Sequence, residues 1–185
     1  MPSAVVKTLT KRELRDLWRT PPDLFARAAQ RYGPFDLDAA ATAEDRHCAA
    51  WFGPDSPLGE DALAATWDIS DQGLTRVWCN PPYSKARKFV AKAAAEAQAG
   101  RAQTTLLLPA TTDVGWWHEH VWDGIAPRPG VVVEPLSGRV RFLRPDGTSA
   151  GMPNFGSALV TFLAQFGTVA SLVIPPKRLK IGKTR

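Results

Sequence analysis

Thr75-Arg76-Val77-Trp78-Cys79 runs directly into Asn80-Pro81-Pro82-Tyr83, and then into the Ala- and Lys-rich stretch Ala86 to Ala99. The first five residues are strand formers. Two prolines in succession cannot continue a ladder, because they lack the N–H donors that pairing requires. The following stretch favours helix and is closed by Gly100. Strand, stiff turn, helix is the opening of a βα unit.

The pattern extends both ways. Downstream, Thr104 to Leu108 reads as a strand ending at Pro109, and Val114 to Trp122 as a helix. Val131 to Glu134, Arg139 to Leu143 and Ala158 to Leu163 read as further strands, with one more at Val169 to Ile174. Upstream, Phe35 to Ala39 reads as a buried strand, Thr42 to Trp51 as a helical stretch, and residues 53 to 60 as a loop rich in Gly and Pro. A helix is expected from Pro22 to Tyr32, with Leu24, Phe25, Ala28 and Ala29 on one stripe. Thr20 is its expected cap and Gly33-Pro34 its stop. Lys11 to Arg19 reads as a short helix or turn. This order implies an α/β fold with a mostly parallel sheet, whose ligands sit at the carboxyl ends of the strands. Two strand ends carry unusual residues: Asp38-Ala39-Ala40, and Asn80-Pro81-Pro82-Tyr83.

The 185 residues suit one domain, expected over 18–175, between an N-terminal arm (1–17) and a basic tail (176–185). No apolar run is long enough to cross a membrane, and Met1 to Leu17 does not read as a secretory signal, so a cytoplasmic location is expected. Two separated cysteines, Cys48 and Cys79, make neither a disulfide framework nor a zinc site. His118 and His120 would lie on different helix faces, so no metal is expected.

The net charge is +5, and Lys177, Arg178, Lys180, Lys183 and Arg185 account for all of it. Between Asp36 and Asp71 nine acids face one base, Arg46. Basic ends suit a polyanion, and an acidic middle suits a cationic or hydroxyl-rich small ligand. Terminal charge also serves simply to solubilise chain ends.

The Asn-Pro-Pro-Tyr turn carries specific chemistry. The Asn80 side-chain oxygen and the Pro81 carbonyl are acceptors for two hydrogen bonds from one exocyclic amino group. Tyr83 offers a face for stacking. Adenine fits: its N6 lone pair is delocalised into the ring, and two acceptors at N6 oppose that delocalisation. As a bare tetrapeptide the motif also fits an ordinary turn, and its position between strand and helix is what favours function.

Here the chain resembles the phage and prophage Dam-type DNA N6-adenine methyltransferases, over about Trp18 to Phe166. The resemblance lies in collinear elements: Trp18-Arg19-Thr20-Pro21, Phe35-Asp36-Leu37-Asp38-Ala39-Ala40-Ala41, Trp51-Phe52, Glu60-Asp61-Ala62-Leu63 with Trp67, Val77 to Ser84, Leu107-Leu108-Pro109-Ala110 and Gly138-Arg139-Val140-Arg141-Phe142. It implies a Rossmann-like fold dependent on S-adenosylmethionine (SAM), mostly parallel with an antiparallel last strand. It implies that Trp18, Thr20 and Pro21 cover the methionine end of SAM, and that Asp38, Ala39 and Ala40 form the cofactor loop. Asp61, beside Ala62, would accept from the SAM adenine. Asn80 would serve both cofactor site and catalysis, with Pro81, Pro82 and Tyr83 completing the catalytic loop. The chain departs from the family in having no glycine between Asp38 and Ala41, and the acid for the SAM ribose is open among Glu44, Asp45 and Asp68.

Double-stranded DNA is the implied partner and the target base must flip out of the stack. Only forty residues separate Ala39 from Asn80. Recognition is therefore expected after the catalytic loop, in 111–128 or 144–154, with Ser84, Lys85, Arg139, Arg141 and Arg144 as DNA contacts. Arg139 equally suits a structural ion pair, and core packing is the simpler account of Trp116 and of Trp117. So small a protein, taken as a monomer, covers a short site, for which the resemblance suggests GATC. Two rivals stand beside this reading: a methyltransferase acting on RNA adenine or protein glutamine, and a DNA-binding protein without activity.

Overall fold

Side chains at Val77 and Cys79 must leave one face of the sheet and Trp78 the other. The computed structural model, which describes residues 9–71 and 73–164, shows this division carried across the sheet. The strands are β1 (Leu37–Asp38), β2 (Ala50–Trp51), β3 (Thr75–Cys79), β4 (Ala102–Pro109), β5 (Val131–Pro135) and β6 (Ser157–Phe162). They form a sheet of order β2-β1-β3-β4-β6-β5. β1 pairs in parallel with β2 and β3, and β3 in parallel with β4. β6, the last strand among the described residues, runs antiparallel to both β4 and β5.

Helices α3 (Ala86–Gln98) and α4 (Gly115–His120) cover one face. There Val77, Cys79, Leu106 and Leu108 pack with Phe89 and Val90 of α3 and with Trp117. Helix α2 (Pro22–Tyr32) covers the other: Leu24, Ala28 and Tyr32 meet Trp78, Leu107 and Leu159. The alternation Leu106, Leu107, Leu108 is thus divided between two cores, as burial on both sides of a mostly parallel sheet requires. Tyr32 donates at 2.6 Å to the buried Glu134 of β5, which Arg31 also pairs at 2.9 Å. Helix α1 (Lys11–Asp16) opens on a reciprocal Thr10–Glu13 capping box.

Three expectations need correction. Residues 42–51 are turns and a short strand, not helix. The Thr42 N–H and hydroxyl both reach Asp45, the hydroxyl also reaches Glu44, and these local bonds replace helical ones. Arg46 then donates to the carbonyls of Cys48 and Ala49 and lies over Trp51. Residues 139–143 keep a strand-like alternation, with Val140 and Phe142 buried and Arg139 and Arg141 exposed, but they join no ladder. Leu143 instead bridges to Arg19 and to Ser149. Thr20 does not cap α2: Pro21 is the cap residue, and its carbonyl accepts from Leu24 and Phe25. The proposed strand at 169–174 and the basic tail lie outside the described residues. Among the described residues no helix is long and apolar enough to cross a membrane.

Candidate active site

β1 and β3 are neighbours in parallel register, with Leu37 opposite Val77 and Asp38 opposite Trp78. The two unusual strand ends therefore emerge side by side. Over them lies a cavity of about 470 Å³, within the usual size of small-molecule sites. Trp18 and Thr20 line it from the segment after α1, Asp38, Ala39 and Ala40 from the end of β1, Asp61 and Ala62 from the loop after β2, and Asn80 and Pro82 from the end of β3. Of the residues expected at the cofactor, Pro21 alone stays outside the lining; it is spent on α2.

Asp38 forms the floor. It is 2% exposed, and its two carboxylate oxygens accept from the N–H groups of Ala40 and His47. Burial raises its pKa from the usual 3.8 to about 7. An unfolded chain releases this proton near the ordinary value, while the folded one keeps it until about 7. Folding therefore takes up a proton between those limits, and the contribution is full at low pH and lost as pH rises through about 7. Accordingly, the stability advantage of the native protein over Asp38→Asn is expected to shrink across that window, by up to about 1.4 kcal/mol per pH unit. Chemical denaturation of both proteins at several pH values checks this, and a constant gap contradicts it.

The glycine lacking after β1 is supplied by the next strand. Gly53, just past β2, has φ +147°, and a Cβ there would lie 1.8 Å from the carbonyl oxygen of Ala41. The bonds from Phe52 N–H to Asp38 and from Ala41 N–H to Phe52 draw the two loops together. Sequence reasoning missed Gly53 because it looked for glycine within one loop. It also missed Glu60, which lines the cavity. Of the three acids weighed for the ribose, only Asp45 reaches the cavity, and it is paired with Arg19 at 3.1 Å.

At the turn after β3, the Asn80 side-chain nitrogen donates to the carbonyl of Trp18 at 2.9 Å. Its oxygen is left to accept. Pro81 is buried beneath the turn. Tyr83 does not line this cavity. Its ring meets Phe142 and Phe155 edge-on, at 6.0 and 5.8 Å between centroids. Its hydroxyl is buried with no hydrogen-bond partner among the described residues, and burial raises its pKa far above the usual value. Phe155 was not foreseen; it stands alone in a polar loop, with no periodicity to mark it.

The expected DNA contacts divide. Lys85 borders the cavity and Ser84 is exposed, its N–H donating to Asp16. Arg141 is exposed. Arg139 donates to the carbonyl of Pro153, and Arg144 to the Thr148 hydroxyl, so both also brace the loop they sit on. Trp117 is buried in the core, and Trp116 packs beside it.

A parallel sheet with one antiparallel strand set in beside its edge, and a ligand cavity at its carboxyl ends, is the architecture of α/β methyltransferases. The residues present fit SAM: the acids Asp38, Asp45, Glu60 and Asp61 and the apolar groups Trp18, Ala39, Ala40 and Ala62 line one cavity of suitable size. The family model for DNA N-6-adenine-methyltransferase (Dam) matches residues 7–179, and the chain belongs to this family. A DNA N-6-adenine-methyltransferase of Escherichia phage T1 is 36% identical over 112 residues, 60% of this chain and 43% of the relative. One from Haemophilus phage HP1 (strain HP1c1) is 30% identical over 114 residues, 61% of each chain. The chain thus spans about half the length of these two relatives.

Proposed function

We propose that this protein transfers a methyl group from SAM to N6 of an adenine flipped out of duplex DNA. The observation that carries the reading is the position of Asn80, at the wall of a cavity continuous with Asp38 and Asp61, with its amide oxygen free to accept. SAM, when bound, supplies a methyl made electrophilic by a positively charged sulfur. Trp18, Thr20, Asp38, Ala39, Ala40, Asp61 and Ala62 would hold it, and Asp45 or Glu60 would supply the acid for its ribose.

Asn80 and the Pro81 carbonyl accept the two N6 hydrogens and so oppose delocalisation of the nitrogen lone pair. Holding that nitrogen in place is catalysis by orientation and by fixed dipoles together. The proton it sheds passes to water. Tyr83, with Phe142 and Phe155 behind it, forms an aromatic wall for the base. Lys85, at the border of the cavity, and Arg139, Arg141 and Arg144 meet phosphate or base edges. A short recognition site follows from the small footprint, and GATC is the first to try.

Labelled-methyl transfer with duplex DNA, RNA and protein offered in parallel tests the substrate class. Label in duplex DNA is expected. Label in RNA or protein alone would overturn the assignment, and no label despite bound SAM would leave a DNA-binding protein.

Tyr83 offers a second check. Its unpartnered hydroxyl is a cost, so Tyr83→Phe is expected to gain up to about 1 kcal/mol in thermal denaturation. It should also keep more turnover than Tyr83→Leu, since stacking uses the ring. Equal losses in the two variants would mean that the hydroxyl acts.

A further inference from the structure

The catalytic amide is held by a main-chain group sixty-two residues earlier in the chain. We infer that the segment from Asp16 to Arg19 is a positioning strap: its Trp18 carbonyl sets the orientation of the Asn80 amide before substrate arrives, and thereby makes asparagine, rather than aspartate, the working residue at 80. This rests on the catalytic role proposed for Asn80.

A carbonyl only accepts, so the group facing it must be the amide nitrogen, at 2.9 Å. That single contact directs the oxygen to the other side. The strap is itself fixed on every side. The Asp16 carboxylate accepts from the Ser84 N–H at 2.9 Å, just beyond the catalytic turn. Arg19 exchanges two backbone hydrogen bonds with Leu143, at 2.9 and 3.1 Å, and its guanidinium pairs with Asp45 at 3.1 Å. The Trp18 ring stacks on Phe142 at 5.0 Å. A group so anchored cannot turn away to suit a different side chain. An aspartate at 80 would set a carboxylate oxygen against the Trp18 carbonyl, two acceptors with no proton between them. Without the strap, the expectation is the opposite: a carboxylate is the stronger acceptor for an amino group, so Asn80→Asp would be tolerated.

The chain has two asparagines, Asn80 and Asn154, which makes the contact directly visible. Protein labelled with ¹⁵N-asparagine and ¹³C-carbonyl tryptophan gives two side-chain amide pairs, assigned with Asn154→Gln. The exposed Asn154 serves as the reference. In the free protein the Asn80 amide is expected to exchange with solvent at least about tenfold more slowly than that of Asn154, and to show a coupling through the hydrogen bond to one tryptophan carbonyl. Exchange as fast as that of Asn154, with no coupling, overturns the inference whatever the activity.

Turnover separates it from the broader reading. With duplex DNA and saturating SAM, Asn80→Asp and Asn80→Ala are both expected to fall by about 100-fold or more. An active Asn80→Asp beside an inactive Asn80→Ala would refute the strap and leave the catalytic amide standing. An active Asn80→Ala would remove the catalytic role itself.

Discussion

Asn80→Ala is expected to lower kcat for methyl transfer to DNA by at least about 100-fold, the scale of losing one fixed polar group that acts on the reacting atom. SAM affinity should change little. The substitution removes an acceptor at the cavity wall, while Asp38, Asp61 and Ala62 remain in the lining. The strap also keeps its other anchors, at Ser84, Leu143 and Asp45. A fall in kcat with a nearly constant SAM dissociation constant is the signature of an interaction made mainly in the transition state. Titration of SAM by calorimetry, beside single-turnover kinetics, separates the two quantities. Equal weakening of both would place Asn80 in cofactor binding alone.

Gly53→Ala should be the most damaging change outside the Asn80–Tyr83 turn. Its added methyl would overlap the Ala41 carbonyl oxygen at 1.8 Å, and φ +147° is unfavourable to any side chain. The oxygen is a main-chain atom in the loop that carries Asp38 to Ala41, so it cannot yield without moving the cavity wall. A loss of about 3 kcal/mol or more is expected in denaturant unfolding, with SAM binding lost in whatever folded protein remains. Gly59→Ala is the control: φ +106° makes it strained, but no atom lies within 4 Å. Its cost should be distinctly smaller. If the two variants are equally stable, the close approach of the two loops is not what shapes the pocket.

The parallel core was readable because its residues obey local rules. Thr75–Cys79, Ala86–Gln98 and Pro22–Tyr32 are bounded by prolines and glycines that act within a few residues. The turn after β3 was readable for the same reason. What failed depends on partners distant in sequence or on side chains that compete locally with the backbone. Arg139 to Leu143 alternates like a strand, yet its neighbour is the strap at Arg19 rather than a sheet. Thr42 to Trp51 has helix formers, but the Thr42 and Asp45 side chains compete for the same backbone. Gly53 and Glu60 reach the cavity, and Phe155 the Tyr83 ring, only because loops far apart in the chain converge. The bond between Asn80 and Trp18 could not be read at all, since a main-chain carbonyl leaves no mark on the sequence.

The most direct test is nucleoside analysis of duplex DNA, rich in short palindromes including GATC, after incubation with the protein and SAM. N6-methyldeoxyadenosine should accumulate, and it should disappear when Asn80→Ala replaces the native chain. Unmodified DNA at saturating SAM, or a methyl group found only on cytosine, would contradict the account.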